Sequence, residues 1–230
     1  RANGEARADF ETWCGKQADW LEDYALFMAL DGANEMRPWW LWAPELRSRE
    51  PEALTAARIQ HLGEIHFWKF VQWQFDVQCA ALRQHAHARG VHIMGELPIF
   101  VARNSADVWS RPDVYFLGED PGQTAGNPLY RWDRMQAEGF AWWTARVRRA
   151  LQQADVLRID PFRGFAGDAS GKALFAAIAR ELGPLPIVAE DLALITPDVV
   201  ELRETGGFPG EDVHWRMLVA ASNSVANLAV

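Results

Sequence analysis

From residue 91 onward short apolar runs take turns with amphipathic helical stretches, and this alternation restricts the fold more than any other feature of the chain. VHIMGELPIF (91–100) reads as a strand closed by Pro98, VLRID (156–160) as a second strand and PIVAED (186–191) as a third. Between them EGFAWWTARVRRALQQ (138–153) puts Phe140, Trp143, Val147, Ala150 and Leu151 on one helical face. KALFAAIARELG (172–183) turns Leu174, Phe175, Ile178 and Leu182 inward, with Gly183 as its cap. Thr196 and Pro197 open one more helix, which Gly206 ends. Strands alternating with helices imply parallel strands joined by right-handed crossovers, as in a βα barrel or a doubly wound sheet. No glycine-rich phosphate loop follows any strand, which disfavours the nucleotide-binding version. An α/β fold built on a barrel, or on part of one, is expected.

The N-terminal part is helical instead. Residues 9–30 carry Phe10, Trp13, Cys14, Trp20, Leu21, Tyr24, Phe27 and Met28 at three- and four-residue steps, with Asp9 able to cap the helix. A second helical stretch runs over 51–89, from Pro51 to a cap at Gly90. Between the two, MRPWWLWAPEL (36–46) holds Trp39, Trp40 and Trp42. Exposed indoles in a cleft suit sugar rings, but tryptophan is more often core. His61, His66, His85 and His87 lie along the second helical stretch without a metal-binding spacing and are expected to face solvent. The boundary between a helical subdomain and the barrel region is placed at residues 1–66 and 67–230.

Composition excludes several classes of function. At 230 residues the chain can bury one sizeable core, and 49% hydrophobic with 23% charged residues is an ordinary globular balance. A net charge of −8 argues against nucleic acid and anionic membrane surfaces as partners. No run of apolar residues is long enough for a transmembrane helix, and RANGEARADF lacks the apolar core of a signal peptide. A cytoplasmic location is expected, with Cys14 and Cys79 as reduced, buried thiols. The missing initiator Met suggests processing or a piece of something longer.

Chemistry concentrates where the strands end. Arg158 and Asp160, two apart in a strand, point to one side. Asp160 before Pro161 also fits a helix N-cap. Glu96 closes the first strand, Asp160 the second and Glu190 the third, and βα barrels assemble their active sites at such ends. The connection over 99–137, long and rich in Asn, Asp, Gly and Pro, is expected to run over the same rim. Two carboxylates at a barrel rim suit glycoside chemistry, one as nucleophile and the other protonating the leaving oxygen. A metal site built from these acids ranks lower, because no strand-end His accompanies them.

Four segments, IMGELPIFVARNSADVW (93–109), GNPLYRWD (126–133), LRIDPFRGF (157–165) and PIVAEDLALITPDV (186–199), resemble the 4-alpha-glucanotransferases, the amylomaltase or disproportionating-enzyme family. WLEDYALFMAL (20–30) and FVQWQFDVQCAALRQHAHARG (70–90) are similar to that family's helical subdomain. The resemblance implies a TIM barrel of the α-amylase clan, here partial and with an N-terminal helical subdomain. It also implies retaining transfer of α-1,4-glucan segments between maltooligosaccharides, without a cofactor. By the same resemblance Asp160 matches the nucleophile, Glu190 the general acid/base and Arg158 the arginine that orients the nucleophile. Glu96, Ser105, Asp107, Asn127, Pro128 and Asp191 fall in segments that shape the substrate cleft.

The chain also departs from the family pattern. Glu96 stands for the Asp of Gly-Asp-Leu-Pro, Pro161 for the His of Ile-Asp-His-Phe-Arg, and Ala125 where the family usually has Trp. Loops after Asp120 and Phe165 are shorter, and after FPG (208–210) the sequence passes directly to HWRMLVAASNSVANLAV (214–230). A Thr-His-Asp-Asn segment, which in the family supplies a third carboxylate, does not intervene. These departures leave a second expectation, an inactive relative with at most weak glucan binding.

Overall fold

The computed structural model describes residues 2–118, 127–166, 170–190 and 196–210. The chain forms two compact units, Arg1–Ala81 with Phe100–Tyr130, and Leu82–Ile99 with Arg131–Val230. No helix among the described residues is long and apolar enough to cross a membrane.

The first unit is mainly helical. Where one helix is expected over 9–30, α1 (Ala2–Lys16) and α2 (Ala18–Ala33) are separated at Gln17, so Asp9 lies inside α1 and caps nothing. Gln17 N donates to Trp13 O at 3.1 Å and its carbonyl accepts from Leu21 N at 2.9 Å, so the break leaves the apolar repeat nearly in phase. After a four-residue α3 (Pro44–Arg47), the stretch 51–89 divides in the same way into α4 (Pro51–Gln60) and α5 (Leu62–His87), whose residues from Leu82 on belong to the second unit. His61 marks this second break, while Pro51 opens α4 and Gly90, at φ +70°, turns the chain after α5 as expected.

Trp39 and Trp42 are core residues, at 6% and 3% exposure. Trp42 packs at 5.4 Å from Phe27 and 5.8 Å from Trp109, and the indoles of Trp39, Trp42 and Trp109 donate to the carbonyls of Arg103, Arg37 and Leu46. A buried tryptophan usually finds an acceptor for its N–H, as these three do. Arg49, paired to Asp23 at 2.8 Å, covers the Trp109 ring at 4.2 Å. The expected long connection contains α6 (Ala106–Ser110) and the antiparallel pair β2 (Tyr115–Phe116) and β3 (Leu129–Tyr130), β1 (Met94–Pro98) being the first strand of the second unit. Cys14 and Cys79 are free and only half-buried, less enclosed than expected.

The second unit is an arc of (β/α) barrel. Three parallel strands lie in the order β1 (Met94–Pro98), β4 (Val156–Asp160) and β5 (Ile187–Ala189). Gly210 pairs in parallel with Ala189, extending the sheet past β5. Helices α7 (Trp132–Ala137), α8 (Ala141–Gln153), α9 (Ser170–Leu182) and α10 (Pro197–Gly206) alternate with the strands. Trp143 and Val147 of α8, and Leu174, Phe175 and Ile178 of α9, are buried as their spacing requires. Gly183 (φ +81°) and Gly207 (φ +67°) end α9 and α10 in the left-handed conformation that a glycine adopts without strain.

Candidate active site

Strand β4 sets the site. Leu157 and Ile159 are each 1% exposed, whereas Arg158 and Asp160 are half-buried and project from the opposite face. Asp160 is the last residue of the strand, and its Oδ2 accepts from Arg158 Nη1 at 2.7 Å. The N-cap alternative for Asp160 is not realised, since the 3-10 turn Phe162–Phe165 that follows Pro161 has no side-chain cap. The same Arg158 nitrogen donates to Glu96 Oε1 at 2.8 Å.

Register explains this arrangement. Glu96 pairs with Arg158 and Arg158 with Val188, while Pro98 pairs with Asp160 and Ile159 with Ala189. Residues at one level of a parallel sheet point to one side, so Glu96 sits on the face of Arg158 and Asp160. Glu96 lies in the middle of β1, two residues before the strand end where it was expected. Its longer side chain reaches the guanidinium from there. Glu190 follows β5 directly and donates its N–H to Ile159 O at 3.0 Å, which carries the ladder to the level of Asp160. Glu190 is buried, at 8% exposure.

The turn beyond Asp160 rests on an aromatic cluster. Phe162 stacks on Phe175 at 5.7 Å, Phe165 meets Phe175 edge-on at 5.3 Å, and Phe208 closes on Phe175 at 4.9 Å. Such pairs contribute about 0.5–1.5 kcal/mol each beyond area burial. Gly164 lies against Ile99 so closely that a Cβ would stand 2.6 Å from its Cδ1. These contacts fix the backbone on which Asp160 is carried. Arg146 of α8, not singled out in the sequence, donates from Nη2 to Pro98 O at 2.8 Å and holds the end of β1. Arg163 is exposed in the turn.

The remaining candidates lie elsewhere. Ser105 caps α6, its hydroxyl accepting from Val108 N at 3.3 Å, and Asp107 is exposed in the first turn of that helix. Asn127 is half-buried and Pro128 buried just before β3. All four belong to the first unit, whereas Glu96, Arg158, Asp160 and Glu190 belong to the second. Asp191, Ala125 and the segment 211–230 lie outside the described residues.

Comparison with known proteins agrees with these features. A family model described as 4-alpha-glucanotransferase matches residues 1–227. The 4-alpha-glucanotransferase of Thermus thermophilus is 40% identical over 93% of this chain and 49% of its own length, and that of Synechocystis is 38% identical over 89% and 48%. Amylomaltase from Streptococcus agalactiae, solved in complex with acarbose, superposes with a TM-score of 0.79 at 29% identity over 90% of this chain and 48% of its own. Amylomaltase from Corynebacterium glutamicum shares the fold, with a TM-score of 0.68 at 21% identity over 90% of this chain and 32% of its own. The chain spans about half the length of the curated relatives it matches. From the motifs through the strand register to these matches, the chain belongs to the 4-alpha-glucanotransferase family.

Proposed function

We propose that the chain transfers α-1,4-glucan segments between maltooligosaccharides by a retaining double displacement, with Asp160 as nucleophile and Glu190 as general acid and base. Asp160 attacks the anomeric carbon of the donor, and the bond to the glycosidic oxygen breaks as Glu190 gives that oxygen its proton. An ester joining the transferred glucan segment to Asp160 and a shortened glucan result. The 4-hydroxyl of an acceptor then attacks the same carbon, passes its proton to Glu190 and releases Asp160. Two inversions leave the α configuration intact. Arg158 positions the Asp160 carboxylate, and Glu96 positions Arg158. Ser105, Asp107, Asn127, Pro128 and Asp191 are proposed to contact the glucan.

The observation that carries this reading is the shared level of Asp160, at the end of β4, and Glu190, directly after the neighbouring parallel strand β5. Adjacent strands lie about 4.8 Å apart, and the carboxyl groups of retaining pairs about 5–5.5 Å apart. Two side chains leaving one sheet face at one level can reach that spacing. The test is incubation of the purified chain with maltotriose beside an Asp160→Asn control. Glucose and a ladder of longer oligomers from the native chain, absent from the control, are the expected result. A ladder that survives in the control, or silence from both, overturns the assignment; the second result leaves the alternative, an inactive relative with at most weak glucan binding.

A further inference from the structure

We propose that His87, His92 and Asp155 form a binding site for a borderline divalent transition metal such as zinc, at the end of the sheet opposite Asp160. His87 Nε2, His92 Nδ1 and an Asp155 carboxylate oxygen all lie within 4.8 Å of one another. Asp155 Oδ2 stands 2.8 Å from His87 Nε2 and 3.9 Å from His92 Nδ1. Ligand bonds of about 2.1 Å in a tetrahedron put ligand atoms about 3.4 Å apart, between those two values. Small rotations of the rings would therefore admit an ion.

The backbone builds this cluster from distant parts of the sequence. Helix α5 ends at His87, and the left-handed Gly90 turns the chain so that the His92 ring comes to 5.6 Å from that of His87. Asp155, the residue before β4, is bonded through its N–H to Ile93 O at 2.8 Å. Its carboxylate is held in place independently of the histidines. Oδ1 accepts from Arg83 Nε at 2.8 Å and Nη2 at 2.5 Å, and Oδ2 accepts from Ile93 N–H at 2.8 Å. Arg83 in turn donates to Gln152 O at 3.1 Å. An outer layer of hydrogen bonds that orients a ligating carboxylate is what metal sites use to fix their ligands.

The donor set selects the class of ion. Two imidazoles with one carboxylate suit zinc, nickel, cobalt or copper, whereas calcium and magnesium take oxygen ligands. The Arg83 charge opposes any cation, so the site is weaker than a four-ligand structural zinc centre. Both imidazoles are open to solvent, at 42% and 75% side-chain exposure, which leaves an entry path and room for water as further ligand.

The test is a calorimetric zinc titration of tag-free, metal-stripped chain. One equivalent is expected to bind saturably. His87→Gln and His92→Gln should each weaken binding at least tenfold, while His66→Gln, exposed about six turns earlier on α5, should leave it unchanged. All three exposed positions allow the variants to fold, which circular dichroism verifies. No saturable zinc binding, or equal binding by the native chain and both site variants, overturns the proposal. The readout involves no glucan, so its failure leaves the transfer reading untouched.

Discussion

At one end of β4 stands Asp155 and at the other Asp160, each bonded to an arginine, yet the two carboxylates sit in different surroundings. The Asp155 side chain is 11% exposed and receives donors from Arg83, His87 and the Ile93 backbone. The Asp160 side chain is 37% exposed, and the nitrogen of Arg158 that it accepts from is shared with Glu96. Burial alone would push the Asp155 carboxyl up, but the Ile93 N–H, His87 and the Arg83 guanidinium outweigh it and hold the group well below the usual carboxylate range. A carboxylate surrounded by donors from its own chain is a structural fixture. One that shares its arginine and faces an open strand end is suited to a substrate carbon.

The comparison can be broken most sharply by neutralising each acid in turn. Asp160→Asn should reduce glucan transfer by at least about a thousandfold while leaving the urea midpoint of unfolding near the native value. A large loss of stability from that change would mean that the two acids do the same work. Asp155→Ala should do the opposite. It leaves Arg83, at 27% side-chain exposure, without its carboxylate, and removal of one partner from a largely buried pair costs about 3 kcal/mol, read from urea unfolding.

Acid sharpens the same contrast. Because the folded-state value for Asp155 is depressed, its contribution is fully present above the unfolded carboxylate value of about 4. It is lost as pH falls through the lower native value. The stability gap between native chain and Asp155→Asn should therefore be flat from neutral pH to about 4 and shrink below it. A gap that widens in acid would contradict the assignment. Smallest of all, His87→Gln should cost no more than about 1 kcal/mol, since Arg83 and Ile93 still hold Asp155. Glucan transfer should not change.

How much of this was legible in the sequence depends on the range of the interactions. β4 has the expected bounds, because an apolar run stopped by Pro161 leaves little choice, and the shared face of Arg158 and Asp160 follows from a period of two. The end of α9 is legible in Gly183, whereas α10 was read as ending at Gly206 and its left-handed cap is the next residue, Gly207. The breaks at Gln17 and His61 were not, because each keeps the apolar repeat almost in phase. Glu96 was read two residues too far along its strand, since strand register is a property of two strands and not of one. The Asp155 cluster joins partners separated by 62 to 72 residues, and no local pattern marks it. Searching His87 for partners on its own helix excluded His92, which reaches it only after the turn at Gly90.

The central claim is that a sugar becomes bonded to Asp160 with Glu190 beside it. It is tested most directly by mass spectrometry of Glu190→Gln incubated with α-maltotriosyl fluoride. Fluoride departs without a proton donor, so the ester can form, and the absent base slows its release. The account predicts an adduct of one maltotriosyl group on the peptide that contains Asp160. No adduct, or an adduct on a peptide lacking Asp160, would contradict it.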